Sequence, residues 1–151
     1  MTASEAIKIQ AYFLKWQANF PRLTNLMYYK DINNVWLTNG MMAVKMPSEF
    51  YMLDVQQERA SIMNCSKIPD DAIKALVTCI EWRFKGSDTS IMIKGFRKPD
   101  DVVMWVKKKY LNMFGKNYDL YVSPDGRKLW LTESDTREVV GVIAGIRGIK
   151  I

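Results

Sequence analysis

The side chains able to do chemistry in this chain are its carboxylates, two cysteines and a surplus of lysines, and histidine is absent. Without an imidazole there is no Ser-His or Cys-His nucleophile and no histidine general base. Three Pro-Asp pairs, Pro69-Asp70, Pro99-Asp100 and Pro124-Asp125, open the pattern that restriction-type nucleases continue with an acid, any residue and a lysine. That continuation fails, because no Asp or Glu is followed two positions later by lysine. Helix capping and turn formation account for the three aspartates instead. Cys65 and Cys79 stand fourteen positions apart with no other thiol, too few ligands for a zinc site. Their apolar neighbours read as those of buried free thiols. The glycines between Gly141 and Gly148 precede no helix whose N-terminus could hold a phosphate, so they read as relief for a crowded strand. No catalytic residue, metal ligand or cofactor is assigned, and a non-enzymatic protein is expected.

What remains is positive charge: 22 basic residues against 16 acidic ones, a formal +6. Polyanions suit such a surface, since each lysine set against a phosphate releases counterions. The candidate contacts are Lys8, Lys15 and Arg22 from a first helix, and Lys107, Lys108, Lys109 and Lys116 from a third. Backbone contacts of this kind give affinity without sequence specificity. Tyr12 and Trp105 lie off the apolar stripes and are the candidates for base stacking, whereas Trp16 and Tyr110 fall at core spacing. A solvated helix face is the competing reading. The third-helix lysines also sit where the helix dipole favours cations without any partner.

At 151 residues with 48% hydrophobic content, the chain has room for one domain with a core, 1–151. No apolar run approaches the ~20 residues of a membrane span, and the N-terminus lacks the pattern of a secretory signal, so a cytoplasmic protein with no membrane partner is expected. Thr2 to Glu5 reads as a capping box, with Ile9, Phe13, Trp16 and Phe20 on one face of the helix that Pro21 ends. Strands follow over 26–29 and 35–38, then Asn39-Gly40 as a type I′ turn and a return strand over 41–46. The middle, 48–95, is the least readable part. An edge strand fits 50–55. A helix capped by Asp70 fits up to Trp82, with Ile73, Leu76, Val77 and Ile80 inward, and a strand fits 90–94. A third helix, capped by Asp100, carries Val103, Val106 and Tyr110 inward and stops at Gly115. A hairpin through Pro124-Asp125-Gly126 and a final strand from Val139 complete an α+β pattern of two helix-plus-antiparallel-hairpin units with an extra middle helix.

Val35-Trp36-Leu37-Thr38-Asn39-Gly40-Met41-Met42-Ala43-Val44 resembles the strand and turn that bacterial sliding clamps write as a threonine-aspartate-glycine hairpin. The stretch from Tyr118-Asp119-Leu120-Tyr121-Val122 through Lys128-Leu129-Trp130-Leu131-Thr132 to Val139–Arg147 is similar to the end of those clamps. The resemblance covers about a third of the chain and implies a single DNA-clamp-like domain. In ring clamps the helices line the hole and face DNA with basic residues, which would give Lys8, Lys15 and Lys107 to Lys109 their role. The expected partner is therefore DNA, bound without regard to sequence, with homo-oligomerisation and replication proteins as further partners. The alternative is an adaptor or inhibitor that engages replication proteins without contacting DNA.

Overall fold

The computed structural model describes residues 1–19, 26–83, 86, 88–115 and 117–146. Helix α1 covers Ala3–Asn19. Its first turn is capped by Thr2, whose Oγ1 accepts the Glu5 N–H at 3.1 Å. Ala6, Ile9, Phe13 and Trp16 are buried, as their spacing requires; Phe20 and Pro21 lie outside the described residues. Gln10 is buried too. Its amide donates to the Phe50 carbonyl at 2.6 Å and accepts the Met52 N–H at 2.7 Å, which ties α1 to the loop after the first meander.

That meander is β1 (Met27–Lys30), β2 (Asn34–Thr38) and β3 (Met42–Pro47), paired antiparallel. The β2–β3 turn spans four residues, and of its Asn39-Gly40 pair only Gly40 is left-handed (φ 87°). The expected type I′ turn is thus replaced by an Asx arrangement: Asn39 Oδ1 accepts the N–H groups of Met41 and Met42, each at 3.0 Å. The edge strand expected over 50–55 is a 3₁₀ turn (Ser48–Phe50) followed by irregular chain, with a two-residue strand β4 (Gln57–Glu58) beside β1.

Both later helices of the sequence reading are corrected. The span expected as a middle helix is strand β5 (Ile73–Trp82), paired with β6 (Ser90–Gly95). Buried Ile73 and Ala75 alternate with exposed Lys74 and Leu76. The apolar positions fit both periods, and ladder partners on two sides, together with β-branched Ile73, Val77, Thr78 and Ile80, decide for the strand. The helix expected from Asp100 is mostly strand β7 (Val102–Lys107), six residues paired with β6; only one helical turn, α2 (Lys108–Leu111), follows. Met104, Trp105 and Val106 are buried in succession, the signature of a strand covered on both faces. Asp100 therefore caps nothing, and Asp101 pairs with Lys94 at 2.9 Å.

Strands β8 (Tyr118–Val122), β9 (Lys128–Glu133) and β10 (Val139–Ala144) are the last elements among the described residues. The result is a mixed α+β fold around one ten-stranded sheet of order β4-β1-β2-β3-β10-β9-β8-β5-β6-β7. From β10 to β7 the sheet curls back on itself: the Ile146 N–H, just past β10, donates to the Trp105 carbonyl of β7 at 2.7 Å. α1, α2 and the turn after α2 fill the inner face with Phe13, Tyr110 and Phe114 against Val35, Leu37, Ile93, Leu129, Leu131 and Ile143. On the outer face Trp36, Trp130 and Val142 lie under a 3₁₀ segment (Ala60–Ser66). Packing is close at Gly141, where a Cβ would meet the Phe114 ring at 2.5 Å. No helix among the described residues is long and apolar enough to cross a membrane.

Candidate nucleic-acid interface

Lys8 and Lys15 are exposed on α1, four residues before and three after Tyr12, and so share its flank of the helix. Tyr12 is half-buried and meets Tyr110 of α2 edge-to-face, centroids 5.6 Å apart. The Lys109 ammonium stands 5.6 Å from the Tyr12 centroid and 5.7 Å from that of Tyr110, and Lys107 stands 5.6 Å from Tyr110. Basic residues far apart in the sequence are thereby gathered around one pair of tyrosines. Arg22 and Lys116 lie outside the described residues.

The three consecutive lysines are not on the C-terminal half of a helix. Lys107 ends β7, while Lys108 and Lys109 open the single turn of α2, so the helix dipole no longer explains them. Carboxylates do. Asp88 sits 3.0 Å from Lys109 and 4.0 Å from Lys107, and Lys108 pairs with Glu81. The hydrogen bond from Lys109 holds the Asp88 carboxyl below its ordinary value, helped by the charges of Lys109, Lys107 and Arg83 against a small desolvation penalty. The Tyr12 hydroxyl is pushed above its ordinary range, first by burial, then by its hydrogen bond with Tyr110 and by the Asp88 charge. The Tyr12 hydroxyl stays neutral near pH 7.

Neither base-stacking candidate survives intact. Trp105 is buried at 7% exposure and packs edge-to-face on Trp82 at 6.3 Å, out of reach of a base. Tyr12 has its ring committed to Phe13, Tyr110 and Lys109. Trp16 and Tyr110 are core, as their spacing indicates. Cys65 is half-buried, its thiol raised by burial, whereas Cys79, expected inside, is exposed on β5. Among the described residues no three Cys, Asp or Glu side chains gather closely enough to hold a metal ion.

The sequence reading missed Asp88, Glu81 and Arg83. The only signal for them was charge: an Asp and a Glu–Trp–Arg triplet in the segment that β6 separates from the lysines. Once β6 and β7 pair Ser90 with Lys107, Asp88 is forced up against the basic run. The patch then holds Lys8, Lys15, Arg83 and the three lysines against Glu81, Asp88 and, one turn from Lys8 on α1, Glu5, so positive charge stays in excess. No family model matches the chain, and no curated protein or solved structure matches it.

Proposed function

We propose that this protein is a non-enzymatic, clamp-like binder of nucleic acid that holds the duplex backbone without regard to sequence. The observation that carries the reading is the Tyr12–Tyr110 contact, which sets the Lys8/Lys15 flank of α1 beside Lys107 to Lys109. A continuous positive surface is what phosphate recognition by counterion release requires. The clamp arrangement is supported by an internal echo: a helix followed by three antiparallel strands occurs as α1-β1-β2-β3 and again as α2-β8-β9-β10, and the units meet through β3 and β10. In such a clamp, copies of the chain would close around DNA with α1 inward.

Fluorescence anisotropy with mixed-sequence duplexes across a salt series tests the reading. Binding that weakens linearly in log salt and is equal across sequences supports it, and undetectable binding at low salt ends it. Light scattering on the same preparation reports whether a closed oligomer forms.

A protein-binding adaptor is the second reading, and one observation favours it. The outer face of β5-β6-β7 exposes Leu76 (59%), Phe96 (55%) and Val103 (40%) side by side, and the register aligns Leu76, Lys94 and Val103 in one row. Apolar side chains grouped in this way mark contact surfaces. A pulldown that recovers a protein partner with the unaltered chain but not with Leu76→Ser plus Phe96→Ser, alongside undetectable DNA binding, supports this reading; no partner alongside clean DNA binding counts against it.

A further inference from the structure

Strand β5 is ten residues long, yet it is laddered to β8 only where Ile73 to Ala75 face Leu120 to Val122. Beyond Ala75 it carries two surplus residues: Val77 pairs with Ile93 and Glu81 with Ile91, so four steps on β5 match two on β6. The bulge is held, not loose. Thr78 Oγ1 donates to the Met92 carbonyl at 2.9 Å, in place of a lost ladder bond, and accepts the Ile80 N–H at 3.1 Å.

This bulge swings β5 away from β8 and leaves a pocket of about 380 Å³ opening into the curl of the sheet. Its walls are Val77, Ile91, Leu111, Phe114, Leu120 and Leu131. Val77 is 43% exposed although Ile73 and Ala75, on the same face of the strand, are buried, so the pocket is open to solvent. The size lies in the lower part of the range of small-molecule sites, about 300–1,000 Å³.

Among the described residues that line the pocket there is no lysine or arginine, and the Glu5 carboxylate lies beside two residues of its edge, Tyr118 and Gly115. Glu5 Oε2 accepts the Tyr118 hydroxyl at 2.7 Å, and Oε1 lies 2.9 Å from the place a Cβ on Gly115 would take. The absence of a side chain at Gly115 is what lets that carboxylate reach the edge. We propose that this pocket binds a small hydrophobic amine, its aromatic or branched body among Val77, Leu111 and Leu131 and its ammonium hydrogen-bonded to Glu5. Such a ligand has the opposite charge to the phosphates proposed for the α1 surface, so amine and duplex titrations report the two readings separately.

The test uses three probes of one shape: 1-naphthylmethylammonium, 1-naphthylmethanol and 1-naphthoate. Methyl chemical shifts of Val77, Leu111, Leu120 and Leu131 report binding. The ammonium probe is expected to saturate these shifts, the alcohol to bind about threefold more weakly, and the carboxylate weakest of all. Glu5→Gln should bring the ammonium and alcohol affinities together. Val77→Trp, at a solvent-open position that tolerates a larger side chain, should abolish all binding. No saturable shift at millimolar probe, equal affinity for the three probes, or a preference that survives Glu5→Gln would each overturn the assignment.

Discussion

The two units that share the α-β-β-β order differ in how much helix they keep. In the first, α1 has seventeen residues and buries a full apolar stripe, and its lysines at positions 8 and 15 stand in solvent. In the second, the residues that would have continued a helix are spent on β7, and α2 retains one turn. Lys107, Lys108 and Lys109 beside it are each tied to a carboxylate. A long helix thus presents charge outward, while a strand-bounded turn is pulled back against its own sheet. The units are joined by β3–β10 pairing and by a Lys45–Glu138 ion pair at 3.2 Å across that seam.

The strongest way to break the comparison is to empty the first helix. Phe13→Ala removes a fully buried ring and should cost about 3–5 kcal/mol in denaturant unfolding. A loss below about 1 kcal/mol would mean that α1 does not anchor the core. In the second unit the tight point is glycine. Gly141→Ala drives a methyl into Phe114 and should cost about 1–3 kcal/mol, partly recovered by Phe114→Leu in the double mutant.

The lysines sharpen the contrast further. Lys8→Glu with Lys15→Glu should weaken duplex binding about tenfold at low salt and flatten its salt dependence. Asp88→Asn should act in the opposite direction, strengthening binding about threefold by releasing Lys107 and Lys109 from their acid. The smallest effect is on acid stability. Asp88 titrates below its unfolded value, so its contribution is present above pH ~4 and is lost as pH falls through the lower folded value. For a half-exposed pair this is at most about 0.5 kcal/mol, seen as a slightly shallower acid limb in Asp88→Asn.

The first unit was largely readable from sequence because its signals are local: a capping threonine, a four-three spacing of Ile9, Phe13 and Trp16, and Asn-Gly at the turn. The hairpin through Pro124-Asp125-Gly126 was readable for the same reason, with Gly126 left-handed at φ 69°. The middle was not, because Ile73, Leu76, Val77 and Ile80 satisfy a helical period while the partners that make them a strand, Leu120 to Val122 and Ile91 to Gly95, lie far along the chain. Val103, Val106 and Tyr110 misled in the same way. Of the proposed interface, the exposure of Lys8 and Lys15 followed from the amphipathic pattern. The pairing of Lys107 to Lys109 with Asp88 and Glu81 did not, since it exists only once β6 and β7 are laid side by side.

The order of the sheet also bears on how the chain folds as it is made. β10 is the last of the described strands in sequence yet lies in the interior of the sheet, between β3 and β9. A ribosome releasing this chain exposes β3 with one edge open until Val44 can meet Gly141. Closure over so long a loop is slow, and an open edge rich in Val, Met and Ala invites wrong neighbours meanwhile. The β3–β10 ladder therefore forms only after β10 has emerged, and it joins the two halves in one late step.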